Sequence, residues 1–317
     1  MILSLISILL VDFTLELETK FKLPELTRPY YFDAAPDKLY VLDAATCHVH
    51  YWDMDGNYLG KFAQKGEGPG EFLTPGQIIY FKKQIIVMDS GSGKVHFFNS
   101  EHEYMHSKPM AGRLVLWKTD NALVVHQAST SRGREQAYLS DETFSQVQML
   151  GEMKYKKHEF VDKVNYIFRP FANEYRPATS PNRIYLGESQ DHTVKVFDGS
   201  GNHLKDFHVP VSRRDVLQDE KDLYKNAYAR HPATLEFGEA PYIDRILAFD
   251  EMVVVVQKNK AWVFDLNFKK LGDLDADLSN TDELISYRAM GQRLISVSYG
   301  GEEDFLIRSY KIKPKKP

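Results

Sequence analysis

Short apolar runs alternate with polar turns along this chain. In three segments an apolar run ends in an acidic residue, a valine follows six residues later, and an Asp or Asn follows four residues after the valine. These segments are Tyr40-Val41-Leu42-Asp43 with Val49 and Asp53, Ile86-Val87-Met88-Asp89 with Val95 and Asn99, and Ile184-Tyr185-Leu186-Gly187-Glu188 with Val194 and Asp198. Runs of β-branched and aromatic residues on both sides of a polar turn predict β-hairpins.

A second turn signature follows the hairpins. An Asp or Asn is followed six residues later by a large apolar residue, and the pattern occurs at Asp53, Asn99, Asp141, Asp198 and Asp265. The first two steps between these turns match the roughly 40 to 50 residues of a four-stranded propeller blade. The later steps are longer and predict insertions in residues 151–182 and 212–240, of which the second has the polar composition of a short helix.

The two ends of the chain complement each other. Strand-like runs at 284–289, 294–297 and 305–310 are one strand short of a blade, and the alternating segment 13–23 precedes the first blade without a partner. Joining the two ends completes a blade and removes an exposed sheet edge. The sequence therefore predicts an all-β fold, a six-bladed β-propeller closed by an N-terminal strand, with loop or short helical insertions in blades four and five.

One glycine-rich segment resembles a known family. Lys65-Gly66-Glu67-Gly68-Pro69-Gly70-Glu71-Phe72, followed by Pro75-Gly76-Gln77-Ile78, is similar to the loop between consecutive blades of NHL-repeat proteins. The whole chain resembles the bacterial NHL-like or TolB-like six-bladed propellers, which are often exported. The glycines permit a tight reversal, and Phe72 is expected to fill the gap between neighbouring sheets. A phosphate-binding loop would need a helix directly after it, which Pro75 and Gly76 disfavour.

Composition limits the partners and the compartment. The formal net charge is −4 with 40 basic and 44 acidic residues, and the basic cluster at the C-terminus is expected to be a solvated tail, so nucleic acid is not predicted as a partner. Cys47 is the only cysteine, which excludes an internal disulfide. A single propeller domain is expected over residues 12–313, with a basic tail at 314–317.

The N-terminal apolar run, residues 1–10, is too short to span a bilayer, so no transmembrane segment is predicted. It resembles the apolar region of a secretory signal, but it lacks a preceding basic residue and a following cleavage site. Residues 1–11 are therefore interpreted either as a signal-like segment or as a frayed N-terminal segment. A periplasmic or secreted location is predicted, with a cytoplasmic one left open.

The sequence contains no recognisable catalytic or metal-binding motif. The sequence has no G-x-S-x-G, H-E-x-x-H, P-loop or EF-hand pattern, and His48 and His50 are interpreted as ordinary strand residues. Asp53 starts a hairpin turn rather than a calcium loop, because the twelfth position from it is Gln64. The recurring acidic residues Asp43, Asp89 and Glu188 are expected to accept backbone N–H bonds in the turn after their strand. No cofactor, metal or catalytic residue is predicted.

Polar residues that break the repeat are the candidate binding site. They fall in the turns after second strands and in the connections between blades, and the resemblance to NHL-like blades implies that these gather on one face around the central channel. The candidate ligand-binding residues are Arg169, Arg176, Gln190, Asp191, His192, Arg230 and His231. A cluster rich in Arg and His suits a polar or anionic small ligand or a protein surface. Arg169, Arg176 and Arg230 are expected to converge unpaired over the channel mouth.

Two functions are consistent with these features. The favoured one is a non-enzymatic propeller that binds a ligand or a protein through the loop-bearing face over the channel. The alternative is a metal-dependent enzyme resembling the lactonases or lyases that share the architecture.

Overall fold

The computed structural model describes residues 12–23, 26–110, 112–129, 133–154, 157–162, 165–170, 174–258, 260–275, 284–299 and 305–315. These residues form an all-β protein with a single helix among them. The N-terminal apolar run, the residues 276–283 and the last two residues lie outside the described part of the chain.

Most of the strands form six four-stranded units, numbered as blades one to six, and blades five and six are joined in one eight-stranded sheet. The first strand of the chain, β1 (Phe13–Leu23), belongs to blade six. Blade one contains β2 (Pro29–Ala34), β3 (Lys38–Asp43), β4 (His48–Asp53) and β5 (Tyr58–Phe62). The connection to blade two contains the short strands β6 (Gln64–Lys65) and β7 (Glu71–Phe72). Blade two contains β8 (Pro75–Phe81), β9 (Gln84–Asp89), β10 (Lys94–Phe98) and β11 (Tyr104–Pro109).

Blade three contains β12 (Arg113–Lys118), β13 (Leu123–Ser129), β14 (Arg134–Ser140) and β15 (Gln146–Lys154). The first insertion follows and holds β16 (His158–Phe160) and β17 (Tyr166–Phe168). Blade four contains β18 (Tyr175–Ser180), β19 (Arg183–Glu188), β20 (Thr193–Asp198) and β21 (His203–His208). The second insertion holds α1 (Gln218–Tyr228) and β22 (Ala233–Leu235).

Blade five contains β23 (Arg245–Ala248), β24 (Met252–Gln257), β25 (Lys260–Asp265) and β26 (Lys270–Asp275). Blade six contains β27 (Leu284–Met290), β28 (Arg293–Tyr299) and β29 (Phe305–Pro314), with β1 as its outermost strand. Within every blade, strands that neighbour each other pair antiparallel. Each blade is therefore an up-and-down meander, the repeating unit of a propeller.

Closure by the N-terminal strand is confirmed. β1 pairs antiparallel with β29 from Phe13 opposite Pro314 to Leu23 opposite Phe305. The start of β1 also pairs in parallel with β26 of blade five, with Phe13 opposite Leu274. The strand thus completes blade six and covers the outer strand of the preceding blade at one end.

The hydrophobic core is divided into six clusters, and each cluster joins two neighbouring blades. Because side chains alternate across a strand, consecutive residues serve different interfaces: Val125 packs toward blade two and Val124 toward blade four. The cluster between blades six and one, which includes Leu23, Trp52 and Val297, closes the ring. Phe72 is fully buried between blades one and two, as the inter-blade loop predicts.

The turn between the third and fourth strands is built alike in five blades, as predicted. In each copy one side-chain oxygen of the Asp or Asn accepts the backbone N–H groups two and four residues later. For Asp53 these donors are Asp55 and Asn57, at 3.0 and 2.8 Å. The other copies are Asn99, Asp141, Asp198 and Asp265. The side-chain oxygen thus accepts two backbone N–H groups for which the tight turn provides no backbone carbonyl.

The acidic residue at the end of the second strand joins the turn to the preceding connection. Asp89 is fully buried and accepts the N–H groups of Leu73, Thr74 and Gly91 at 2.9, 2.7 and 3.1 Å. Asp43 makes the equivalent three bonds in blade one. The predicted bond within the following turn is present, and two further donors come from the connection that enters the blade.

In blade four the equivalent connection is held by Ser189, whose hydroxyl accepts the N–H of Glu174 at 3.0 Å. These bonds place the turn after the second strand and the connection between blades on one face, called the insertion face below.

The two insertions share one small sheet on the insertion face. β17 pairs antiparallel with β16 and in parallel with β22, so the sheet takes strands from both insertions. The Phe168 ring of β17 stacks on Tyr228 at the end of α1, with ring centroids 4.5 Å apart. In the described part of the chain, no helix combines the length and apolarity that crossing a membrane requires.

Candidate functional site

A cavity of about 910 Å³ lies at the centre of the ring, where the innermost strands of all six blades line it. Every blade places at least one charged or phenolic side chain along this lining. On the innermost strands, in blade order, they include Asp33, Tyr80, Lys118, Arg176, Arg245 and Arg288. Each blade is packed between its two neighbours, so the side chains of its innermost strand are held rigidly. Rigid positioning of side chains favours a binding site.

Asp33 and Lys118 form one end of a buried polar cluster. The Asp33 carboxylate is 4% exposed, and its Oδ2 accepts bonds from the Lys118 ammonium at 2.6 Å and from the Tyr80 N–H at 2.8 Å. Lys118 also donates to the carbonyls of Tyr80 at 2.7 Å and Ala34 at 3.3 Å. The ammonium has three protons, and this set of acceptors uses them all.

Arg288 approaches the same carboxylate from blade six. Its Nη1 lies 4.0 Å from Asp33 Oδ1, which is longer than a hydrogen bond, and its guanidinium lies 6.0 Å from the centre of the Phe32 ring. Burial lowers the pKa of Arg288, Asp33 opposes this effect, and the nearby charge of Arg245 adds to it. The guanidinium nevertheless stays charged, because arginine is not deprotonated in proteins.

A second charged cluster lies toward the insertion face. Glu174 accepts from Lys157 at 2.6 Å through one oxygen and from Arg176 at 2.8 Å through the other. Burial raises the pKa of Glu174, but the charges and hydrogen bonds of Arg176 and Lys157 lower it more, so the pKa lies below its usual value. Burial raises the pKa of the neighbouring Asp244 above its usual value, although the Lys258 N–H bonds this carboxylate.

Helix α1 lies beside this second cluster. Arg214, just before the helix, binds both carboxylate oxygens of Glu220 in the first turn, each at 2.7 Å. Burial and, to a smaller extent, the charge of Glu174 raise the pKa of Tyr224 in the middle of the helix. The second insertion therefore approaches the cavity at the side where Glu174 and Arg176 lie.

A histidine and a glutamate of blade three also line the cavity. His126 Nε2 lies 2.6 Å from Glu135 Oε1, and this oxygen also accepts the Tyr175 N–H at 2.7 Å. The His126 side chain is 15% exposed whereas that of Glu135 is 1% exposed. The carboxylate thus orients the imidazole, an arrangement that suits proton transfer or hydrogen bonding to a ligand.

Arg176 is the one residue of the predicted site that lines the cavity. Arg169 lies in the inserted sheet, where it pairs with Glu159 at 2.8 Å and Glu236 at 2.7 Å. Arg176 is paired with Glu174, so the expectation of unpaired arginines is wrong for both Arg169 and Arg176. Glu236, the distant partner of Arg169, lies in the second insertion, whereas Glu174 is only two residues before Arg176. Arg230 and His231 follow α1 and are exposed.

The other predicted residues lie in the turn after the second strand of blade four. Gln190 donates to the Glu239 carbonyl at 2.9 Å, and Asp191 accepts the Thr193 N–H at 3.1 Å. The His192 ring lies 5.3 Å from that of His208 and is about half exposed. These three residues are on the insertion face, outside the cavity lining, and their role in ligand binding stays a prediction.

The residues that sequence reasoning missed lie on innermost strands. Asp33 ends an aromatic run, Lys118 ends an apolar run, and Arg288 interrupts a strand-like run. The sequence feature that could have identified these residues is a charged side chain in the first strand of a blade, because this strand lines the channel. Within the described residues, no group of three or more His, Cys, Asp or Glu side chains is placed to hold a metal ion.

Comparison with known proteins identifies the class to which this fold and cavity belong. Residues 3–166 match the sequence profile of DUF5128, described as a 6-bladed β-propeller. The match covers more than half of the chain, and the protein belongs to this family. No protein in the curated collection matches the sequence significantly.

Solved structures agree on the fold. A Bacteroides fragilis protein described as exported is 14% identical, with a TM-score of 0.58 over 96% of this chain and 99% of its own. A member of the DUF4221 family from Bacteroides vulgatus is 11% identical, with a TM-score of 0.62 over 96% of this chain and 100% of its own. The Pan2 WD40 domain of Neurospora crassa is 10% identical, with a TM-score of 0.50 over 91% of this chain and 76% of its own. At these identities the likeness concerns the fold alone.

Proposed function

We propose that this protein is a non-enzymatic binding propeller that takes a small polar ligand into its central cavity. The observation that carries the proposal is the cavity of about 910 Å³ with a charged or phenolic side chain from each blade. Ligand sites of small molecules are concave, largely preformed and of roughly 300 to 1,000 Å³. Side chains held on strands lose little freedom on binding, which favours affinity.

The insertion face is proposed as the side from which the ligand or a protein partner is recognised. Both insertions lie there, and loops on a rigid scaffold commonly carry binding residues. Gln190, Asp191, His192, Arg230 and His231 are the proposed contacts of a partner on this face. Arg176 connects the two regions, since it lines the cavity and is bonded to Glu174 at the end of the first insertion.

A location outside the cytoplasm is part of the proposal. It is supported by the signal-like composition of residues 1–10 and by the description of the Bacteroides fragilis protein as exported. A closer relationship to NHL-like and TolB-like propellers is also proposed, on the basis of the inter-blade loop at residues 65–72.

Filling the cavity tests the proposal. Thr179 lies on the innermost strand of blade four, lines the cavity and is half-buried. Thr179→Trp is expected to abolish binding of a ligand identified by thermal-shift screening of small polar metabolites, because the indole occupies the space that the ligand needs. Binding is measured by isothermal titration calorimetry on the wild type and the variant.

The matched control is Val147→Trp. Val147 is 66% exposed on the outermost strand of blade three, so an indole there leaves the cavity unchanged and is expected to leave affinity unchanged. Both variants should melt close to the wild type, because aromatic residues are compatible with strands. Equal affinities of the two variants for the ligand would show that it binds elsewhere.

His126 supports a second candidate function, an enzyme that acts on the ligand in the same cavity. The bond of 2.6 Å to Glu135 orients the imidazole as a proton acceptor. If the protein is an enzyme, the identified ligand is consumed during incubation, and His126→Gln stops its consumption without abolishing binding. Elemental analysis of the dialysed protein tests the metal-dependent form of this candidate. An unchanged ligand after prolonged incubation favours the binding protein.

A further inference from the structure

We propose that the ligand of the central cavity carries a carboxylate or phosphate group and that Arg288 is the residue that binds it. This inference rests on the proposed function, since it names the chemical class of the same ligand.

The first cation, Lys118, is fully occupied by the protein. It donates to Asp33 at 2.6 Å, to the Tyr80 carbonyl at 2.7 Å and to the Ala34 carbonyl at 3.3 Å. Its bonds connect blades one, two and three across the channel. Lys118 is therefore a structural residue that has no remaining proton for a ligand.

The second cation, Arg288, retains its donors. Among the described residues its guanidinium makes no hydrogen bond, and its nearest carboxylate, Asp33, lies 4.0 Å away. Lys118 bonds the other oxygen of this carboxylate, Oδ2, whereas Arg288 faces Oδ1 beyond hydrogen-bond distance. Arg288 lies in the cavity lining with a side chain that is 28% exposed, so a ligand can reach its N–H groups.

The charge balance also favours an anion. Asp33 is one carboxylate between two basic side chains, Lys118 and Arg288. Arg245 of blade five lies close enough for its charge to lower the pKa of Arg288. A guanidinium in a partly buried site with a like charge nearby gains most from an added anion, because both desolvation and repulsion are then compensated.

The geometry of the donor restricts the chemistry of the ligand. A guanidinium presents its N–H groups as a planar fork that matches two oxygens of one carboxylate or phosphate, and such bidentate bonds are stronger than neutral ones. Neutral polar groups of the same shape do not compensate the charge. Carboxylate and phosphate share this chemistry, and the experiment separates them.

The experiment measures the binding of simple probes at constant ionic strength by isothermal titration calorimetry. The anionic probes are succinate and inorganic phosphate, and succinamide is the neutral analogue of succinate. We expect saturable binding of at least one anion to the wild type and none of succinamide. Binding of succinate alone assigns a carboxylate ligand, and binding of phosphate alone assigns a phosphate ligand.

Substitutions then locate the site. Arg288→Ala is expected to weaken binding of the anion by about 10- to 100-fold, the scale of a charged hydrogen bond. Arg288→Lys should be intermediate, since it keeps the charge and loses the fork. The control is Arg293→Ala, which removes an exposed arginine of the same blade outside the cavity lining and should leave the affinity unchanged. Melting temperatures of all variants show whether they are folded.

Three results would overturn the inference: no saturable binding of either anion, equal binding of succinamide, or unchanged affinity in both Arg288 variants. Failure of the inference is distinguishable from failure of the proposed function. A neutral molecule that binds the wild type and is lost in Thr179→Trp leaves cavity binding intact and refutes the anion. If binding of an anion depends on Arg288 but persists in Thr179→Trp, the role of Arg288 stands and the cavity-filling test of the proposed function fails.

Discussion

A protein that begins at residue 25, and so lacks β1, is expected to lose its cooperative thermal transition and to aggregate. Phe13 and Leu23 are buried in the clusters on either side of blade six, and the whole strand pairs with β29. Burial of two large apolar side chains contributes about 3 to 6 kcal/mol. That loss is comparable with the total stability of a typical domain, about 5 to 15 kcal/mol, and the free edge of β29 favours association.

Deletion of residues 1–11 alone is the control, and its melting temperature should stay near that of the full chain. A synthetic peptide of residues 12–24, added in excess to the shortened protein, is expected to restore part of the transition by pairing with β29. Circular dichroism melting and light scattering measure both effects. A shortened protein that melts like the full chain without peptide would show that β1 is dispensable for closure.

Replacement of Asp89 by Ala is expected to destabilise the protein by about 3 to 5 kcal/mol. The substitution leaves the N–H groups of Leu73, Thr74 and Gly91 without their acceptor, and a buried donor that loses its partner costs about 1 to 3 kcal/mol. Urea unfolding at neutral pH measures the free energy of unfolding. Asp215→Ala, which removes an exposed carboxylate before α1, is the matched control and should change it little.

The effect of Asp89→Ala should depend on pH. Burial raises the pKa of Asp89, but the donors of Leu73, Ser92, Thr74 and Gly91 lower it more, so its pKa in the folded protein lies below the usual value. A depressed pKa stabilises the fold above the unfolded value, about 3.9, and this contribution is lost as the pH falls through the folded pKa. The difference between wild type and variant should be full at pH 6 and should shrink below about pH 4. A constant difference would contradict the ionised role of Asp89.

The parts of the fold that were predictable from sequence depend on local interactions. The turn at Asp53 is fixed by bonds two and four residues away, so its pattern survives in every copy regardless of what the blade packs against. Closure could be predicted by counting strands, because the strands at the two ends of the chain lacked partners and could complete one blade by pairing with each other.

The site was less predictable because its contacts are distant in sequence. Asp33 meets Lys118 and Arg288 only through the order of blades around the axis. The pairing of Arg169 with Glu236 could not be predicted, because Glu236 lies in the other insertion, next to β22. The pairing of β17 with β22 is formed by two three-residue strands, which are too short to give a periodic signal.

The small sheet on the insertion face takes strands from both insertions, so neither insertion can be replaced by that of another propeller without the other. Tyr166 of β17 pairs with Ala233 of β22, which joins the segments before and after blade four. The contact of the Phe168 ring with Tyr228 joins the same two segments. A chimera that receives either segment alone would inherit an unpaired edge and a half-exposed aromatic pair. Transfer of residues 155–244 as one segment, blade four included, would preserve both the pairing of β17 with β22 and the contact of Phe168 with Tyr228.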